Sequence, residues 1–215
     1  MTHKQIYPRV LFILFAVAWL LAAAMAPTER TLGTLVRWVY AHASLTQVSL
    51  LFFASALVLS VLYWLGREGL FLWLETMGWV ALGLWLAGFV LSMVPAKLSW
   101  GVWVDFQEPR TQMTLRVLAV GLLFVVLTRW VDSRRFTAAA QIVLSALVLF
   151  LSRNTAVIRH PVNPIGSADS RAIPLAYSLI FLLALAAALA LVYLIVAARD
   201  NSRQPSAVVR QELLS

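Results

Sequence analysis

Six long apolar runs dominate this chain of 215 residues, at roughly 9–26, 43–65, 71–94, 112–131, 136–152 and 172–198. Most of them come close to or exceed the ~20 residues a helix needs to cross about 30 Å of hydrocarbon. Inside a bilayer every backbone N–H and C=O must be paired, which leaves only helices or a closed barrel. Barrel strands are about 10 residues long and alternate polar with apolar. These runs are longer and do not alternate. The expected fold is therefore all-α, a polytopic six-helix transmembrane bundle with three longer extracytoplasmic loops. The chain is 62% hydrophobic and 12% charged, whereas a soluble domain is about half apolar with roughly 25% charge. The fifth run is short, and the sequence predicts local thinning or protein shielding around it.

Gly66-Arg67-Glu68-Gly69 and Val131-Asp132-Ser133-Arg134-Arg135 read as tight hairpins. The domain reading is a membrane domain over 1–198 and a flexible polar tail over 199–215. The start, MTHKQIYPR followed by an apolar run and AAAMAP, has the layout of a signal peptide. That run is long enough to cross, and it is read as a retained span. Six spans put both termini on one side. Lysine and arginine divide nine to eight between that side and the other. The charge is denser in the short loops of the terminus side, which places both termini in the cytoplasm.

Several classes are disfavoured. There is no cysteine, so disulfides, iron–sulfur clusters and thiolate metal sites are excluded. The arginines are scattered among membrane segments, which argues against nucleic acid as a partner. No span carries a histidine in its interior, as a transmembrane b-type cytochrome requires. An HExxH motif is missing too, and the chain is not expected to be an enzyme. Glu75 is read as snorkelling to the cytoplasmic interface. Gln47, Ser55 and Ser60 are read as interhelical hydrogen-bonding residues, and Trp85 as belt or core.

The three outer loops, roughly 27–42, 95–111 and 153–171, are much longer than the cytoplasmic hairpins, and long loops are where function concentrates. Their eight basic residues are unusual, because short translocated loops normally avoid arginine. His42 lies in RWVYAHASLTQ and His160 in SRNTAVIRHPVNPIGSADSR. Taken singly, each is an ordinary interfacial or loop histidine. As a pair on one face they are flanked by Arg37, Arg110, Arg153, Arg159 and Arg171. Two neutral imidazoles suit both axial positions of a haem iron. Arginines suit its propionates, and Trp38, Trp100 and Trp103 offer flat faces to a porphyrin. Zinc is the rival ligand, with a thin donor set. Arg116, at the outer end of the fourth span, is a further propionate candidate.

The segment SWGVWVDFQEPRT, Ser99–Thr111, resembles the tryptophan-rich WWD signature of the haem-handling proteins of cytochrome c biogenesis, the family of haem exporter protein C (CcmC) and the CcsA-type synthetase subunit. Tyr40-Ala41-His42 resembles the family's Tyr-x-His, and Arg159-His160-Pro161 resembles the segment with its second histidine. Within the signature Val104 and Phe106 stand where tryptophans are usual, and Gln107 stands at the aspartate position, with Glu108-Pro109-Arg110 as an alternative acid-x-basic group.

The resemblance implies haem b bound as cargo at the outer face of a bacterial inner membrane. His42 and His160 would be its axial ligands, with Trp100, Gly101 and Trp103 as platform; the chemistry of guanidinium and carboxylate adds Arg37, Arg110 and Arg159 as expected propionate contacts. It also implies delivery to a membrane-anchored haem chaperone beside the ABC transporter subunits of the maturation system. The competing reading is a non-haem small membrane transporter or a structural subunit of a membrane complex.

Overall fold

Runs rich in Leu, Ala and Val, with proline confined to their margins, close their hydrogen bonds locally and become helices. In the computed structural model, which describes residues 3–156, 158, 165 and 170–203, there are six: α1 His3–Met25, α2 Val36–Trp64, α3 Phe71–Trp100, α4 Pro109–Val131, α5 Arg134–Asn154 and α6 Ala172–Arg203. All six are long and apolar enough to cross a membrane. No β-strand forms among the described residues, and the chain is an all-α six-helix bundle with the character of a multi-pass membrane protein.

The turns follow from local chemistry. Gly66 adopts a left-handed backbone (φ 95°) after α2, and a 3₁₀ turn at Glu68–Leu70 leads into α3. Between α4 and α5, Asp132 takes the left-handed cap (φ 46°). Ser133 then caps α5 by accepting a hydrogen bond from the N–H of Phe136, as serine does at a helix start.

The helices are longer than the apolar runs. α2 begins at Val36, so His42 lies in its second turn and not just ahead of the span. α3 runs to Trp100 and α4 starts at Pro109, which shrinks the second outer loop to 101–108. The fifth span has 21 residues, about 32 Å at 1.5 Å per residue, and needs no thinning. α6 stays helical to Arg203, four residues beyond the start of the polar tail. The cause is common to all of these. Interfacial Trp, Tyr and Arg end an apolar run without ending a helix, because their long side chains reach the boundary while the backbone continues.

α2 lies at the centre against α3, α5 and α6, with α1 on α6 and α4 outermost against α5 and α3. The main core joins Phe52, Phe53, Trp85, Val117, Val148 and Val192 from five helices, with Phe53 edge-on to Trp85 at 6.3 Å. A second cluster at the loop end joins Tyr40 to Ala23, Ile173 and Tyr177. The interhelical polar contacts differ from those expected. Ser55 and Ser60 bond carbonyls of their own helix. The ties between helices are Ser49 to the Ala81 carbonyl at 2.7 Å and the Trp19 indole to Ser44 at 3.0 Å. Glu75 of α3 is ion-paired with Arg199 of α6 at 2.8 Å, so it holds two helices together at the terminus end.

Candidate functional site

At the loop end a cavity of about 290 Å³ opens between α2, α3, α4 and α5. Its wall includes His42, Thr46, Gln47, Trp85, Ser92 and Arg110. Two of the residues singled out by sequence, His42 and Arg110, thus meet in one concavity.

His42 is half-buried. Its Nδ1 stands 3.1 Å from the carbonyl oxygen of Trp38, four residues earlier. A carbonyl can only accept, so Nδ1 is the donor in this bond, and a neutral ring would carry its lone pair on Nε2. Donation from one ring nitrogen to a carbonyl is the usual device by which a ligating histidine is oriented and made more basic. The carbonyl of His42 itself accepts from Thr46 Oγ1 at 2.9 Å. Opposite, α3 presents Gly88. A β-carbon there would stand 2.7 Å from Thr46 Oγ1 and 3.3 Å from the His42 carbonyl, so only glycine lets α3 approach this closely. Trp85 is buried against the core, and its indole N–H reaches the Thr114 carbonyl at 3.4 Å, which forms the floor between α3 and α4.

Arg110 follows Pro109, the first residue of α4. A cation in a first helical turn is opposed by the macrodipole, and the position favours an anion nearby. Glu108, at the N-cap of α4, is fully buried. Its Oε1 accepts from the backbone N–H of Ile158 at 3.4 Å, tying the third outer loop to the start of α4.

Of the remaining residues, Trp100, Gly101, Trp103 and Arg37 are not among those lining the cavity. Trp100, half-buried, ends α3. Gly101 caps that helix in a left-handed conformation (φ 77°), and its carbonyl accepts from Lys97 Nζ at 2.9 Å. Trp103 is 55% exposed. Arg37 donates from Nε to the Ala26 carbonyl at 2.9 Å and clasps the first loop. Arg116 is bonded within α4 to Gln112 at 3.2 Å and does not line the cavity. His160 and Arg159 lie outside the described residues. Among the described residues no group of three or more His, Asp or Glu converges as a metal site would require.

In the first loop Glu29 Oε2 accepts from the N–H groups of Leu32 and Thr31, both at 2.8 Å. The Leu32 bond foremost, with Thr31 and Arg30, holds this carboxyl below its usual range against a smaller opposing effect of desolvation.

The sequence reading assigned no site role to Thr46, Gln47, Ser92 or Ser152, all on spans, and its core reading of Trp85 agrees with that ring's burial, although the ring also lines the cavity. A signal existed: Thr111 and Thr114, His42 and Thr46, and Gly88 and Ser92 put small or polar groups about one turn apart toward the outer ends of three helices. No protein-family model matches the chain, and no curated protein matches it.

Proposed function

We propose that this protein binds haem at its loop end as cargo and hands it on during cytochrome c maturation. The recipient would be a membrane-anchored haem chaperone, working beside ABC transporter subunits at the outer face of a bacterial inner membrane, with both termini cytoplasmic. His42 serves as one axial ligand through Nε2, and His160 as the other. Arg110 meets a propionate, and Trp100 and Trp103 border the macrocycle.

The observation behind this reading is His42 itself, held by its Nδ1–H on the Trp38 carbonyl and lining one cavity with Arg110. The anchoring of Ile158 to Glu108 adds support, since these residues precede His160 and Arg110 by two positions each. A cavity of about 290 Å³ is at the lower limit for small-molecule sites, which run to about 1,000 Å³. On this reading only an edge of a porphyrin would enter the cavity, with the rest at the surface, which suits a group that must leave again. Gly101 and Arg37 act by shaping the loops around it.

The test is an optical spectrum of protein purified from haem-sufficient cells. Soret and α bands of a bis-imidazole haem are expected in the wild type and are lost when His42 and His160 are both replaced by alanine. Absence of the bands, or their persistence in the double variant, contradicts the proposal.

A further inference from the structure

At the terminus end, the hairpin between α4 and α5 lays two guanidiniums on rings of α3. That of Arg129, in the last turn of α4, lies 5.4 Å from the centre of the Trp79 ring. That of Arg134, the first residue of α5, lies 5.4 Å from the centre of the Phe71 ring. Both distances fall within the ~6 Å reach of a cation–π contact. A guanidinium resting on a ring keeps its five N–H donors, which lie in its own plane and suit the oxygens of a phosphate. The ring contact also restrains two long side chains, so less rotamer freedom is left to lose when an anion binds.

Charge at this corner is not balanced within the chain. Arg67, Arg129, Arg134 and Arg135 stand against Glu68 and Asp132. All four arginines are exposed, and none of them forms an ion pair among the described residues. Glu75, one turn inside α3, is taken by Arg199. α5 opens on Arg134-Arg135 with no acid in its first turn, an arrangement that the helix macrodipole opposes.

The helix beside these cations is uncovered. α4 buries Met113, Val117 and Gly121, and no residue from Leu122 to Val131 is buried. Leu82 closes on Gly121, where a β-carbon would stand 2.5 Å from Leu82 Cδ1. Past that contact a crevice of about 40 Å³ separates α3, α4 and α5, with Trp79 in its wall and Thr128 and Thr137 on the side of the hairpin. Leu122 and Val126, both exposed, fall within about 60° of Arg129 around α4 at 3.6 residues per turn. Trp130, 82% exposed, follows Arg129 at the depth where indoles favour the headgroup boundary. An apolar stripe thus ends in a cation and an indole, the order in which a lipid presents chain and headgroup.

We propose that this corner of α3, α4 and α5 is a docking site for an anionic phospholipid of the leaflet at the terminus end. Its phosphodiester accepts from the N–H groups of Arg129 and Arg134, and an acyl chain lies along Leu122 and Val126. The end of a membrane-spanning bundle meets the headgroup layer, so lipid phosphate is the anion at hand. A net negative headgroup complements the unpaired guanidiniums, as basic pockets between membrane helices do for anionic lipids. A zwitterionic lipid brings an ammonium to the same cations and is the poorer ligand. The site is at the opposite end of the bundle from the loop-end cavity and does not depend on what that cavity holds.

The experiment titrates the full chain in mixed micelles of dodecyl maltoside and phosphatidylcholine, replacing phosphatidylcholine by phosphatidylglycerol at constant total lipid. The thermal midpoint is the readout, because a ligand of the folded state raises it. For the wild type the midpoint is expected to rise and saturate with phosphatidylglycerol. Arg129→Gln with Arg134→Gln should need about ten- to thirty-fold more of it for half the rise. Lys4→Gln with Arg9→Gln removes the same charge from α1, which packs on α2 and α6 and on none of the site's helices, and should titrate like the wild type. Inorganic phosphate added to phosphatidylcholine micelles should give no rise. Each protein's midpoint in phosphatidylcholine alone reports its folding, so lipid affinity is read separately. A wild-type midpoint indifferent to phosphatidylglycerol, equal titrations for the two double variants, or a rise as large with inorganic phosphate would each overturn the site while leaving the haem spectrum untouched.

Discussion

Gly88 of α3 and Thr46 of α2 stand so close that a β-carbon on the glycine would lie 2.7 Å from the threonine hydroxyl oxygen. The same hydroxyl donates to the His42 carbonyl, so this approach sets the position of the helix turn that presents the imidazole.

Gly88→Val is therefore expected to wedge α3 from α2. Overpacking of this kind costs about 1–3 kcal/mol, readable as a lowered thermal midpoint in detergent. Haem titration should weaken at the same time, because the His42 turn shifts with α2. A variant with unaltered midpoint and haem binding would show that the contact is relieved without effect.

At the other end of the bundle, Glu75 and Arg199 are bonded with side chains 25% and 37% exposed, respectively. Partial exposure keeps such a pair modest, roughly 0.5–1 kcal/mol. A double-mutant cycle with Glu75→Gln and Arg199→Gln in chemical unfolding should give a coupling energy in that range. Strictly additive single effects would mean that the pair does not couple α3 to α6.

Much of the fold was legible because the bilayer admits so few solutions: six long apolar runs became six helices. Helix ends were harder to read. Val36–Ala41 and Ser99-Trp100 look like loop by polarity and aromatic content, yet both continue helices, because interfacial side chains do not break backbone hydrogen bonding. The candidate site was legible in part. His42 and Arg110 stood out as charged or titratable groups among apolar ones. Thr46, Ser92 and Ser152 look like ordinary helix-bonding hydroxyls, and only the three-dimensional packing around Gly88 makes them a wall. The partner of Glu75 could not be read from the sequence: Arg199 lies 124 residues away, beyond any helical periodicity.

Glu29 provides a pH-dependent latch on the first loop. Its folded-state value lies below the ordinary one near 4.5, so its contribution is fully present above that ordinary value. It is lost as pH falls through the lower folded value. Protease cleavage within 26–35 should be flat from neutral pH down to about 5 and rise only in stronger acid. Glu29→Gln should show raised cleavage already at neutral pH. Equal cleavage of the two proteins at neutral pH would mean that the carboxylate bonds do not order the loop.

Gly101 and Trp103 are neighbours with different expected phenotypes. Gly101→Ala forces a side chain into a left-handed cap and should cost about 1–2 kcal/mol of stability. Trp103→Ala, at an exposed position, should stay within roughly 0.5 kcal/mol of wild type yet weaken haem binding. The two are separated by measuring thermal midpoint and haem affinity on the same preparations. A destabilised Trp103→Ala with normal affinity would assign that ring to packing.

Ligation by two imidazoles from separate parts of the chain is tested most directly by electron paramagnetic resonance of the ferric, haem-loaded protein. The wild type should give a low-spin signal, and His42→Ala and His160→Ala, made singly, should each convert it to high spin. A low-spin signal that survives either single substitution would contradict the paired-histidine site.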